Sequence, residues 1–262
     1  LHMILAEMES MVVSMSGGVD SVLLAKAAAD TVGDNALAVT VVSPTLPRRE
    51  LEEAIELAKK LSLNHRVIHT GELEEILFAS NPVNRCYFCK QAIIKQLIVI
   101  KEETNRKWIC SGENVSDLSE DRPGFKAVQK SAVRVPLQEA GLTKPEVRRL
   151  ARFLGLPNWD RPASACLATR IPFGDKITPD KLAQVEAAEE LLFELGFRQC
   201  RVRHHGPIAR IEIETDQWQK LCTQAEFIAS KFQQLGFQFI TLDLEGYRRG
   251  RLLEAARFDG NG

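Results

Sequence analysis

The chain has 262 residues, 45% of them apolar and 26% charged, with 34 basic against 35 acidic side chains and a formal net charge of −1. That length suits one large or two smaller domains. The balance gives no support for a large nucleic-acid footprint, and no apolar run approaches a membrane span. Six cysteines are too few for a disulfide-dense scaffold and suit a reducing cytoplasm, where a closely spaced pair points to metal or redox chemistry.

Leu1-His2-Met3 reads as an expression remnant, and the residues after it do not make a secretory signal. The run Met11-Val12-Val13-Ser14-Met15 begins as an apolar strand and breaks into Ser16-Gly17-Gly18-Val19-Asp20-Ser21. Val22 to Ala29 then reads as a helix, so the polar hexad sits at a strand-to-helix turn. The first amides of a helix have no partner inside it, and with the positive end of the dipole they form an anion site. Gly17 and Gly18 let the backbone approach a bulky phosphate. Ser16 and Ser21 add hydroxyls, the Val19 amide joins them, and Asp20 caps or orients the loop.

A Walker loop would end in Gly-Lys-Ser/Thr, and a dinucleotide loop would read Gly-x-Gly-x-x-Gly. Neither is present. The hexad instead resembles the PP-loop of ATP pyrophosphatases. That resemblance implies adenylation of a carbonyl or carboxyl oxygen with release of pyrophosphate, then displacement of AMP by nitrogen or sulfur. ATP and Mg2+ are the implied cofactors.

Further along, Ala36 to Val42 reads as a second buried strand, with Thr40 to Ser43 expected to wall the adenine. Arg48 to Leu61 has helical spacing, and Arg66 to His69 makes a third strand. Strands alternating with helices imply an α/β fold, a doubly wound and mainly parallel sheet. Asn81 to Lys90 contains Cys86-Tyr87-Phe88-Cys89, read as a loop leading into a helix from Gln91 to Glu103. Such a pair can bind a metal, shuttle electrons or lie inert. A structural zinc would want four ligands, and no second Cys-x-x-Cys exists.

Trp108 to Cys110 is the expected fourth strand. It runs into Gly112-Glu113-Asn114-Val115-Ser116-Asp117, then Arg122-Pro123-Gly124. A glycine with small polar and acidic residues at a strand end suits a second ligand-facing loop. It resembles the Gly-x-Asn-x-x-Asp element that faces the nucleotide in PP-loop enzymes, which implies binding roles for Gly112, Asn114 and Asp117. Ala132 to Leu137 reads as a fifth strand. Thr143 and Glu146 have capping-box spacing. Asp160 to Gly174 is an aperiodic, proline-rich ordered loop whose chemically notable members are Cys166 and Arg170.

The composition then changes. A helix is expected from Pro179 to about Leu195, followed by Arg201-Val202-Arg203-His204-His205-Gly206 and the strand Ala209 to Glu214. A helix over about Asp216 to Leu235 and a strand over Phe237 to Leu244 follow, ending near Tyr247-Arg248-Arg249. The expected division is a PP-loop domain over 1–175 and a smaller C-terminal α+β domain for substrate and oligomerisation over 176–262. Cys110, Cys200 and Cys222 have only packing explanations.

With these segments in view the chain resembles the LarE family from about Met11 to Arg249. The carrying motifs are Ser16 to Ser21, Gly112 to Asp117, Pro162-Ala163-Ser164-Ala165-Cys166-Leu167-Ala168-Thr169-Arg170 and Arg201 to Gly206. The resemblance implies an ATP-dependent sulfurtransferase of nickel-pincer cofactor biosynthesis. Such enzymes adenylate the carboxylates of a pyridinium dicarboxylate mononucleotide and convert them to thiocarboxylates, often as homo-oligomers. It makes Ser16, Asp20, Cys166 and Arg170 the catalytic candidates. Arg201 and Arg203 alternate on a strand, so they share a face and are the candidates for the substrate phosphate.

Two sulfur sources are open. One version of the family sacrifices the cysteine at the Cys166 position and retains dehydroalanine. The set Cys86, Cys89 and Cys166 instead resembles iron–sulfur-dependent tRNA thiolases and implies a [4Fe–4S] cluster, the preferred reading, with sulfide as co-substrate. The expected partners are the mononucleotide and, for the cluster type, a sulfide donor; no membrane or nucleic acid is expected. A tRNA thiolase, an amide-forming ligase and a non-enzymatic nucleotide sensor remain the rival readings.

Overall fold

The structure, a computed structural model, describes residues 1–119, 123–162 and 164–248. Arg122, Ala163 and Arg249, named above, lie outside them. The described residues fall into two compact units. One comprises Leu1–Glu72 and Asn84–Ser164, the other Leu73–Val83 and the chain from Ala165 on.

In the first unit β1 (Met11–Ser14), β2 (Ala36–Val42), β3 (His65–His69), β4 (Trp108–Cys110) and β5 (Val133–Arg134) form a sheet in the order β3-β2-β1-β4-β5. Every pairing is parallel. Side chains alternate across a strand, and β1 uses both sides. Met11 and Val13 enter one core with α1 (His2–Met8), α2 (Val19–Val32), α3 (Arg48–Lys60), and later helices. Val12 enters another with Leu37, Val39 and Ile109. That second core is closed by Leu97 and Ile100 of the long helix α5 (Arg85–Glu103), which follows the short α4 (Ile76–Ala79). Helices on both faces explain why β1 is apolar at successive positions rather than alternating, and they bear out the doubly wound α/β class.

The strand order reverses at β1, which pairs with β2 on one side and β4 on the other. Ligands of open α/β sheets bind at the carboxyl ends of strands at such a reversal. The two loops there are Ser16 to Ser21 and Gly112 to Asp117. They nearly touch: a Cβ added at Gly112 would lie 2.9 Å from both the N and Cα of Ser21. Glycine is therefore required by close approach of two backbones.

Several boundaries differ from the sequence expectations. The cysteine pair does not precede its helix, because α5 begins at Arg85 and includes both residues. After α6 (Pro123–Gln129), the fifth strand is only Val133–Arg134; Pro136 opens α7 (Pro136–Glu139). Proline cannot donate to a ladder but suits a helix start. The next helix, α8 (Lys144–Phe153), starts at the expected Thr143–Glu146 capping box, with the Thr143 N–H donating to Glu146 Oε2 at 2.9 Å.

The second unit contains α9 (Pro179–Glu194), β6 (Cys200–His205) and β7 (Ile208–Ile213), then α10 (Trp218–Thr223), α11 (Ala225–Gln234) and β8 (Phe239–Leu242). The expected single helix over 216–235 is thus two, separated at Gln224. β6 and β7 form an antiparallel hairpin, and β8 lies parallel to β7. Val202, Ile211 and Ile213 face a core with Phe197, Phe232 and Phe237. Among the described residues no helix is long and apolar enough to cross a membrane.

Gly112→Ala should lower stability by about 1–3 kcal/mol, the usual scale of overpacking, because the atom it meets is backbone. Urea unfolding monitored by circular dichroism checks this; an unshifted midpoint would contradict the close approach.

Candidate active site

The hexad forms the turn between β1 and α2. Gly17 has φ +79, a conformation L side chains rarely adopt, and an added Cβ would also press on Ala54. Gly18 is different: it is the N-cap, extended at φ −69, with only the Ser16 hydroxyl near an added Cβ at 3.5 Å. The Ser21 hydroxyl donates to Gly18 O at 3.0 Å and accepts the Ser16 N–H at 3.1 Å, closing the loop on itself. The first α2 bond runs from Val22 N–H to Gly18 O. The amides of Val19, Asp20 and Ser21 precede it, so the helix offers them no carbonyl.

The loop is held from its other side by residues that the sequence alone did not single out for a role. Buried Asn158 donates to Gly17 O at 2.9 Å, and Arg161 donates to the same oxygen at 3.4 Å. Arg161 is itself clasped by Glu50 and Glu53 of α3. The signal available was the polar run Asn158-Trp159-Asp160-Arg161 between two prolines, outside any helical or strand period.

The second loop closes on the first. Asn114 Nδ2 donates to Asp20 Oδ1 at 3.1 Å. The Asn114 N–H is capped by Asp117 Oδ2 at 2.9 Å, and Asn114 Oδ1 accepts the Ser116 N–H at 2.9 Å. Ser116 Oγ in turn accepts the Lys144 N–H at 3.0 Å, and Lys144 Nζ forms an ion pair with Asp20 Oδ2. Gly112, Asn114 and Asp117 are therefore joined to Ser16 to Ser21. Beside them Lys90 of α5 reaches Glu113 at 3.0 Å and Ser111 at 3.1 Å. Burial alone would raise the Glu113 pKa, but the Lys90 ammonium and the Ser111 hydroxyl outweigh it and hold the carboxyl below its ordinary range. Thr40 is fully buried, with its hydroxyl on Met15 O and His65 Nε2, both at 2.8 Å. It is packed into the sheet rather than presented to an adenine.

In the second unit Cys166 is half-buried, just before a turn of 3-10 helix from Leu167 to Arg170. Arg170 is buried and holds that turn: its Nη1 donates to Ala165 O at 2.6 Å and Cys166 O at 3.0 Å. Its Nε and Nη2 grip the Glu189 carboxylate at 2.9 and 2.7 Å. Arg203 is also buried, bidentate on Glu212 at 2.9 and 2.8 Å and donating to Thr169 O at 2.6 Å. Both arginines thus carry their own counter-charge. Arg201 does not: its Nη1 donates to Cys200 O at 2.6 Å, its guanidinium lies 5.4 Å from the Tyr247 ring centroid, and among the described residues it forms no salt bridge. Burial first, then the neighbouring Arg170 charge, push its pKa below the ordinary value. Cys86 is exposed and Cys89 half-buried, one turn apart on α5 in the first unit. Among the described residues no three His, Cys, Asp or Glu side chains are grouped as metal ligands.

A family model described as NAD synthase matches residues 3–92. An uncharacterized protein of Synechocystis sp. is 40% identical over 96% of this chain and 95% of its own length. Pyridinium-3,5-bisthiocarboxylic acid mononucleotide synthase of Lactiplantibacillus plantarum is 36% identical over 95% of this chain and 90% of its own. The chain belongs to the LarE family. It is accordingly an ATP-dependent sulfurtransferase built on the PP-loop ATP pyrophosphatase fold. A glutamine-hydrolyzing GMP synthase of Methanococcus maripaludis, 27% identical over 79% of this chain and 67% of its own, is a more remote relative.

In this LarE-family chain the turn bearing Cys166 is held by Arg170, which is paired in a buried site with Glu189. Removing one partner of such a pair leaves an uncompensated charge and costs roughly 3–5 kcal/mol. Glu189→Ala should lose that much unfolding free energy in urea, since Arg170 is 2% exposed and cannot recruit water. A loss below about 1 kcal/mol, the scale of a surface pair, would show the pair to be dispensable.

Proposed function

We propose that the enzyme adenylates the carboxylates of a pyridinium dicarboxylate mononucleotide and converts them to thiocarboxylates during nickel-pincer cofactor synthesis. The observation that carries the substrate class is Arg201: a half-buried guanidinium without a carboxylate partner among the described residues, on the strand adjoining the Cys166 turn. Such a cation is suited to a phosphate. Arg203 shares its face but arrives neutralised by Glu212, so its part is to fix the surface from which Arg201 works. The relative from L. plantarum carries a name of the same product class.

The first half-reaction belongs to the PP-loop. Attack of a substrate carboxylate oxygen on the α-phosphorus of ATP forms the acyl-adenylate and expels pyrophosphate, which Ser16, Gly17, Gly18, Val19 and Ser21 receive through amides and hydroxyls. Asn114 and Asp117 hold the facing loop. Asp20 would offer an oxygen donor to a magnesium ion accompanying the phosphates, which would supply charge neutralisation there.

The second half-reaction brings sulfur to the acyl carbon and releases AMP. Cys166 is the thiol we assign to it, with Arg170 as a positioning residue. Two routes balance. If Cys166 is sacrificed, its thiolate displaces AMP to give a thioester; loss of the Cα proton to a base then breaks the Cβ–S bond, leaving thiocarboxylate and dehydroalanine. Alternatively sulfide is the sulfur source. Cys86 and Cys89 stand one helical turn apart, and thiolates so spaced fit two ligands of one [4Fe–4S] cluster; Cys166 would be the third. Such a cluster would supply an iron site without a protein ligand for repeated use of sulfide. The cysteine pair favours this route.

Two experiments decide. Gly18→Val should abolish pyrophosphate release without unfolding the chain, because an added Cβ there meets nothing closer than 3.5 Å; wild-type products of ADP and phosphate would overturn the site. Anaerobically prepared protein should contain iron, lose it in Cys86→Ala, and with sulfide form several products per chain. An iron-free protein forming one product per chain, with Cys166 lighter by the elements of H2S, would establish sacrifice instead.

A further inference from the structure

The PP-loop has no lysine of its own, yet a triphosphate brought to it carries several negative charges. The cations nearest the first unit's two loops differ in how they are held. Arg161 is locked between Glu50 and Glu53 and spends a further N–H on Gly17 O. Lys90 is committed to Glu113 and Ser111. Lys144 has a single carboxylate, Asp20 of the PP-loop itself, and its side chain is 34% exposed. It also stands at the first position of α8. A cation there opposes the helix dipole, which favours anions at a helix start. Local misfits of this kind concentrate where function needs them.

The lysine is also carried to the loop by a closed ring of bonds. Its backbone N–H is fixed to Ser116, Ser116 to Asn114, and Asn114 to the other oxygen of Asp20. The ring keeps the Cα in place while the flexible four-carbon arm remains able to change partner.

We propose that Lys144 is the phosphate-neutralising cation of this site, parked on Asp20 until nucleotide arrives and then transferred to the phosphates. It does from a distant helix what a Walker lysine does from within its own loop. The transfer leaves the Asp20 carboxylate open to the metal that accompanies ATP. This inference rests on the nucleotide assignment above.

The test is pyrophosphate binding by isothermal titration with EDTA present, so that no metal contributes. Lys144→Met should weaken binding roughly tenfold to a hundredfold, the scale of one charge-assisted hydrogen bond. Lys144→Arg should restore most of it. Asp20→Asn breaks the same ion pair from the other side but leaves the cation, so it should bind pyrophosphate as tightly as wild type or more tightly. Equal weakening in Lys144→Met and Asp20→Asn would show that the pair only braces the loop, and unchanged binding in Lys144→Met would remove the lysine from the site. Wild-type protein that binds no pyrophosphate would overturn the nucleotide site itself, and the lysine's role with it.

Discussion

The close approach of Gly112 to the backbone of Ser21 is the constraint on which the nucleotide half of the enzyme depends. It exists because the sheet reverses its order at β1, so that the loops after β1 and β4 leave neighbouring strands and cannot avoid each other. Once they are in contact the rest follows. Asn114 can reach Asp20, Ser116 can fix the start of α8, and Lys144 is delivered to the loop. A side chain at position 112 would separate all of these at once. The geometry therefore comes from topology first and from polar side chains second.

Charge is distributed by a second rule. Three arginines that shape backbone are neutralised where they stand: Arg161 by Glu50 and Glu53, Arg170 by Glu189, Arg203 by Glu212. Arg170 and Arg203 bury their guanidinium groups with their carboxylates buried beside them, since an unpaired ion in that environment is costly. Against this background the exceptions are informative. Arg201 has burial without a carboxylate partner among the described residues, and Lys144 has a partner it can leave. On the function proposed above, these are the positions an incoming anion would meet.

Much of this was legible in the residues. The apolar runs at Met11, Ala36 and Trp108 read as strands, and the hexad between the first strand and its helix read as an anion site. The doubly wound sheet followed from the alternation of the two. What was not legible depends on partners far away in the chain. The partners of Arg170 and Arg203 could not be read, because a sequence shows charge but not its complement: Glu189 and Glu212 lie 19 and 9 residues away. Asn158 and Lys144 were invisible for the opposite reason, since their targets, Gly17 and Asp20, are 141 and 124 residues distant. The fifth strand and the start of α5 were misjudged on local grounds, where Pro136 and Arg85 open helices inside segments read as strand and loop.

The cysteine pair and the loop after β4 share one support. Cys86 and Cys89 lie in the opening turns of α5, and the next residue, Lys90, is tied to Ser111 and Glu113 at the end of β4. At the other side Gly124 of α6 packs so near the Cys86 carbonyl that an added Cβ would lie 3.4 Å from its oxygen. The pair is thus fixed by the loop that also faces the nucleotide, and by a second helix, before any ligand is present. A pair so held keeps the Cys86–Cys89 spacing set by one turn of helix, and Lys90 couples the start of α5 to the Ser111–Glu113 loop.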